Sequence, residues 1–291
     1  MFSFQRVRPI AMLFLLAILA CSNAFAQDIG IQMGSMRQMA DKGPEATLAR
    51  LKEIGITEIE GGLPRGIKLE EYKKLLKKYD LKVIATGVGF PHLENSDSTQ
   101  KVIKRAKDLG ARYVVCYWIP HEGDNFTFGD MKKAVDVFNK AGKLFAENGL
   151  TFSYHAHGYE FREYEGGDGT MFEYMMAKTD PRYVTFQMDV FWIKNPGQDP
   201  AALLRKYPDR WKSLHLKDRR HGTPDTNTGR QDKESNVVLG TGDVNIAEVM
   251  KAAREIGIKH YFIEDESSRA LEQVPQSVAY LKTLGAGKSK K

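Results

Sequence analysis

From Ile29 onward the chain alternates short β-rich runs with amphipathic helical stretches, and this alternation limits the fold more than any other feature. Runs at 29–35, 57–61, 82–87, 113–118, 151–157, 184–191, 213–217 and 261–266 read as strands. Helical periodicity fills the gaps at 44–54, 69–79, 99–109, 131–148, 170–178, 200–207 and 246–256, with a last stretch at 271–284. Gly55, Gly110, Gly149 and Gly257 each follow a helical pattern and precede a strand, where a left-handed residue closes the last turn. Eight βα units predict an α/β chain folded as a single (β/α)8 barrel over residues 27–285. An open doubly wound sheet fits less well, because residues 31–36 lack the Gly-rich turn that such sheets carry after the first strand. The polar stretch 219–236 reads as a long loop after strand seven, at the end where barrels place their chemistry.

Ahead of the barrel, Arg6 and Arg8 precede an apolar run from Ile10 to Cys21, followed by Ala24-Phe25-Ala26. This is the layout of a secretory signal peptide spanning residues 1–26, too short to serve as a transmembrane segment. Cleavage after Ala26 predicts a periplasmic or secreted protein, with lipid anchoring through Cys21 as the alternative, and leaves Cys116 without a disulfide partner. The formal charge of +6, from 43 Lys+Arg against 37 Asp+Glu, belongs largely to the ends. Removing Arg6, Arg8 and the lysines at 288, 290 and 291 of a basic tail (286–291) leaves 38 basic against 37 acidic residues. A near-neutral body gives no electrostatic basis for a nucleic-acid partner.

Side chains alternate between the faces of a strand, so residues of one parity share a side. Ser153, His155 and His157 form one such row, followed by Thr185, Gln187 and Asp189, then Ser213, His215 and Lys217, then Phe262, Glu264 and Glu266. The intervening rows are apolar or aromatic, which directs the polar rows into the barrel mouth. Carboxylates crowded there would repel one another and lose solvation unless a cation joined them. Carboxylate oxygens with imidazole nitrogens suit Mn²⁺, Mg²⁺, Co²⁺ or Zn²⁺. Asp189, His215 and Glu264 are the expected ligands of a divalent metal ion, with His157 or Glu160 as the fourth and the other beside it as a base. His155 is a second candidate base. Lys217 is a candidate to polarise a substrate oxygen, or else a mouth residue paired with Asp218. Tyr117, Trp118, Phe191 and Trp192 could stack on a sugar ring.

Four stretches together, 154–161, 187–189, 214–218 and 262–266, resemble the xylose-isomerase-like barrels, a family that includes sugar isomerases, keto-sugar epimerases, inosose dehydratases and endonuclease-IV-like enzymes. The resemblance covers essentially the whole mature chain. It implies Glu160, Asp189, His215 and Glu264 as metal ligands, His157 as general base, and Glu60 and His92 as residues near the substrate. It also implies a small-molecule carbohydrate substrate and proton abstraction beside a carbonyl through an enediolate. Export directs that chemistry toward lyase or hydratase action on 3-keto-glycosides or their 2-hydroxy-glycal products. Isomerisation or epimerisation of a free sugar is the competing reaction, and an exported metal-dependent sugar-binding protein is the reading without catalysis. An endonuclease would need a basic groove and more histidines than the seven present.

Overall fold

A computed structural model describes residues 28–287; the signal segment, Cys21 and the terminal lysines lie outside the described residues. Eight parallel strands close into a barrel in chain order: β1 (Asp28–Gln32), β2 (Glu58–Glu60), β3 (Lys82–Val88), β4 (Tyr113–Cys116), β5 (Thr151–His155), β6 (Val184–Asp189), β7 (Trp211–Leu216) and β8 (His260–Ile263). Around them run α1 (Gly43–Ile54), α2 (Leu69–Tyr79), α3 (Ser96–Leu109), α4 (Phe128–Glu147), α5 (Met171–Lys178), α6 (Val190–Lys194), α7 (Pro200–Lys206), α8 (Ile246–Glu255) and α9 (Ala270–Thr283). Outward strand residues such as Ile31, Ile59, Phe152, Phe186 and Leu214 pack against this shell, which buries Leu48, Phe138, Phe145 and Val278. Ala286, at the start of the expected tail, is also buried and extends the packed body. Among the described residues no helix is long and apolar enough to cross a membrane.

The barrel lumen is divided. Ala85, Val115 and Phe262, with Tyr113 and Tyr117 against them, fill one side with apolar groups. Gly30 on β1 makes room for this plug: a Cβ there would lie 2.6 Å from the Phe262 ring and 2.8 Å from the Tyr261 carbonyl oxygen. The other side is polar from the floor upward. Ser153 and Thr185 meet at 2.7 Å across β5 and β6, and above them His155 meets Gln187 at 2.8 Å.

Seven of the eight strands end earlier at the mouth than the sequence predicts, and β3 runs one residue further, to Val88. β5 stops at His155, β6 at Asp189 and β8 at Ile263, so His157, Phe191, Glu264 and Glu266 belong to connections. At β6 the physical cause is plain: Asp189 Oδ1 accepts from the backbone N–H of Phe191 (2.9 Å) and Trp192 (3.2 Å), turning the chain into α6. The loop after β7 is partly ordered as a hairpin, Asp218–Arg219 against Asn236–Val237. Arg219 anchors it through Asp225 (2.7 Å), Asp243 (2.8 Å) and Asn195 (3.2 Å). Its distal part reaches Trp118 and Tyr159, both within 3.2 Å of a Cβ placed on Gly229.

Candidate active site

His155, Asp189 and His215 converge at the mouth, each offering a ligand atom within 4.8 Å of the others. The cap that turns β6 into α6 uses one oxygen of Asp189 and leaves Oδ2 buried without a hydrogen-bond partner. That oxygen stands 3.7 Å from His155 Nε2 and 4.0 Å from His215 Nδ1. Glu264 closes a fourth side, its Oε2 being 3.2 Å from His215 Nδ1. An orphaned carboxylate oxygen facing two imidazoles is a costly arrangement by itself. The same donors suit a divalent cation, and the buried setting fits one.

Beneath these donors a buried shell fixes both rings. Gln187 Nε2 donates to Glu60 (2.5 Å) and to Ser213 Oγ (3.0 Å), which orients its carbonyl oxygen toward His155 Nδ1. His155 must then donate from Nδ1, leaving the Nε2 lone pair for the mouth. Glu60 Oε1 lies 2.5 Å from His215 Nε2 and accepts from Tyr117 Oη at 3.0 Å. Glu60 is 0% exposed. The position expected to meet substrate is instead placed behind His215, in the manner of carboxylates that support metal-bound histidines. Gln187 and Tyr117 had no such role in the sequence. The signal for Gln187 was its place on the polar row of β6; Tyr117 shares parity with Tyr113 and Val115 of the apolar plug, and contributes a hydroxyl where the sequence suggested only a stacking face.

Electrostatics follow from this crowding. Burial, augmented by the charge of Glu264 and opposed by Lys217 and His215, pushes Asp189 up to about 7. Burial disfavours protonated His215, but the Glu60 and Glu264 carboxylates outweigh it and carry the imidazole up to about 10. Lys217 is 1% exposed yet stays charged, because Glu264 (3.4 Å) and Glu266 (2.7 Å) pair with it against the cost of burial. Phe191 and Trp192 cover its ammonium at 5.2 and 5.4 Å. The expected Asp218 partner is engaged elsewhere, accepting from the N–H groups of Gly240 (2.8 Å) and Gly242 (3.0 Å).

Glu160 does not join the convergent group. Gly158 takes φ 95° and turns the chain; a Cβ there would also strike the Trp192 carbonyl oxygen at 2.9 Å. Glu160 is then buried with its oxygens bound by the His157 N–H (3.1 and 3.2 Å) and the Tyr154 hydroxyl, whose side chain belongs to the outward row of β5. Its place among the donors is taken by His155. His157 sits at the rim among His155 (4.7 Å between ring centroids), Trp192 (5.3 Å) and Trp118 (5.5 Å). Burial lowers it to about 4, so its imidazole is neutral at pH 7. Trp118 stacks on His121 at 4.7 Å and lies beside His157. His92 is exposed at the end of a short turn after β3, and none of its described contacts reaches the cluster.

Residues 48–284 match the description of the xylose isomerase-like TIM barrel family. The chain belongs to this family. An inosose dehydratase from Geobacillus kaustophilus (strain HTA426) is 24% identical to it over 196 residues, covering 61% of this chain and 62% of that protein. The chain thus aligns with less than two thirds of that relative's length. A sugar phosphate isomerase/epimerase from Parabacteroides distasonis ATCC 8503 is 26% identical, with a TM-score of 0.73, covering 90% of this chain and 95% of the other. A family barrel from Mycobacterium smegmatis in complex with magnesium shares the fold at 15% identity, with a TM-score of 0.67 and coverage of 90% and 97%.

Proposed function

We propose that this chain is a divalent-metal-dependent enzyme that removes a proton beside the carbonyl of a keto-sugar, acting as a lyase or hydratase on 3-keto-glycosides or their 2-hydroxy-glycal products. The observation that carries the proposal is the unpartnered Asp189 Oδ2 facing His155 and His215, with Glu264 alongside. These four residues would hold the cation, which when bound supplies positive charge to adjacent sugar oxygens and eases ionisation of the C–H bond between them. His157, neutral and at the rim beside His155, takes that proton. Lys217 keeps a fixed positive charge under Phe191 and Trp192 and stabilises developing negative charge on oxygen. Trp118 and Trp192 flank His157 and offer apolar faces to a sugar ring. Elimination follows when the substituent β to the carbanion leaves with its bonding pair; hydration is the reverse.

Similarity to an inosose dehydratase supports the elimination reading. Similarity to the Parabacteroides protein supports a second, in which the proton returns to carbon as an isomerisation or epimerisation. Export to the periplasm or beyond completes the proposal and favours the first, because it removes the enzyme from cytoplasmic sugar phosphates. Metal analysis of purified protein, then incubation with 3-keto-glucosides and Mn²⁺ followed by product NMR, tests it. An eliminated or hydrated product is expected, whereas deuterium exchange into a ketose without elimination favours the second reading. His157→Ala should lower turnover by about 10²–10⁴-fold while metal content is retained; undiminished turnover would overturn the base assignment.

A further inference from the structure

Between the connections that follow β3 and β4, the mouth opens into a cleft of about 430 Å³. Pro91, Pro120 and the rings of Tyr117 and Trp118 line it, and none of its lining side chains carries a charge. Both prolines are exposed and both rings half-buried, so this surface is open to a ligand. The cleft shares two walls with the donor site. Tyr117 donates from Oη to Glu60 (3.0 Å), and its ring centroid lies 5.5 Å from that of His155 and 6.3 Å from that of His215. Gly87 makes room for it, since a Cβ there would lie 2.6 Å from Tyr117 Cε2. Trp118 lies 5.5 Å from His157, ring to ring, and is fixed by a stack on His121 (4.7 Å) and an edge contact with Tyr159 (4.9 Å). Past Trp192, on the other flank of His157, the surroundings are charged: the Lys217 ammonium lies 5.4 Å from that indole and pairs with Glu264 and Glu266.

We propose that this cleft is the subsite for the leaving group of the substrate, and that it takes an uncharged aromatic aglycone. In a 3-keto-glycoside the carbon that loses its proton, C2, is bonded to C1, which carries the aglycone. The proton passes to His157 and its bonding pair forms the C1–C2 double bond. The C1–O pair departs with the aglycone oxygen, which takes up a proton from solvent as His157 releases its own there. The aglycone is therefore held beside the base, and of the two flanks of His157 the Trp118 side is the uncharged one. A cavity of about 150 Å³ holds benzene, so the cleft has room for a substituted ring. Its aromatic walls suit a planar face, whereas a second sugar would bring hydroxyls to a surface whose Tyr117 Oη is already committed to Glu60. The place in the reaction rests on the keto-glycoside reading; the ligand chemistry rests on the cleft alone.

The probes are phenol and cyclohexanol, titrated by NMR into the protein and its Gly89→Trp and Pro120→Glu variants, with the Trp118 indole resonance assigned through Trp118→Phe. Gly89 lines the cleft in an extended conformation (φ −77°, ψ 141°). The nearest atoms to a Cβ there are His92 Cδ2 at 3.8 Å and Pro91 Cδ at 3.9 Å, so a large side chain enters open space without strain. Phenol is expected to shift the Trp118 resonance and to bind about two- to tenfold more tightly than cyclohexanol. Gly89→Trp should abolish that binding and Pro120→Glu weaken it at least about fivefold, with melting temperatures maintained. In parallel, the ratio of kcat/KM for phenyl 3-keto-glucoside over methyl 3-keto-glucoside should fall at least about fivefold in Gly89→Trp; comparing this ratio between protein and variant cancels the intrinsic difference between the leaving groups. Absence of phenol binding, or binding indifferent to both substitutions, overturns the subsite. Cyclohexanol binding as tightly as phenol overturns the aromatic class. Binding that follows the substitutions with an unchanged ratio overturns the aglycone role. Binding that follows them without turnover of either glycoside upholds the ligand chemistry and overturns the keto-glycoside reading.

Discussion

One oxygen of Asp189 caps α6 and the other has no partner, so the donor set depends on where neighbouring hydrogen bonds are spent. Gln187 has the same importance one layer down, because its amide determines which nitrogen of His155 is free. Gln187→Leu removes that orientation and should weaken metal binding by about 10–100-fold with the fold retained, as read by calorimetry alongside circular dichroism. Metal binding should also release protons. Ligands must be deprotonated, whereas His215 lies near 10 and Asp189 near 7 in the metal-free protein. Affinity should therefore rise about tenfold per pH unit from 7 toward 10 as His215 gives up its proton, and more steeply below 7 where Asp189 must give up one as well. Calorimetry in buffers of different ionisation enthalpy counts the protons; a pH-independent affinity would contradict the arrangement. Asp189, His215 and Glu264 were legible in the sequence because each sits on a period-two row. The role of Glu60 was not: its partner His215 lies 155 residues away, and no local pattern encodes that pairing.

At the scale of elements, residues 151–161 show where sequence reading stops. The alternation through Ser153, His155 and His157 extends the strand to 157, but hydrogen bonding ends at His155 and Gly158 then reverses the local path. Two residues after such a turn, parity no longer predicts direction, and Glu160 goes to Tyr154 and not to the metal donors. The helices were more legible: 69–79 is reproduced to the residue, and most others differ at an end by one to three positions, as fraying termini do. What periodicity could not supply is the contact between β1 and β8 that Gly30 permits. Gly30→Ala should cost about 1–3 kcal/mol through overpacking, because the Tyr261 carbonyl oxygen is backbone and cannot swing aside. Thermal denaturation should show a fall of roughly 3–10 °C.

For the molecule as a whole, the expected ligands come from β5, β6, β7 and the segment after β8, so a bound cation would join half of the barrel. Binding to the native state alone adds about 4 kcal/mol at a thousandfold excess over Kd, and the melting temperature should rise by roughly 8–16 °C. Chelation should reverse the shift, as scanning calorimetry would show. The cap at Asp189 adds a different consequence. The carboxylate that faces the donors also fixes α6, and α6 carries Trp192 against His157. Cation binding and occupancy of the Trp192 face thus draw on one side chain, and linkage makes their coupling mutual. Any compound that tightens when the cation is present must raise the cation's affinity by the same factor, so a sugar analogue unable to react would still report on the metal.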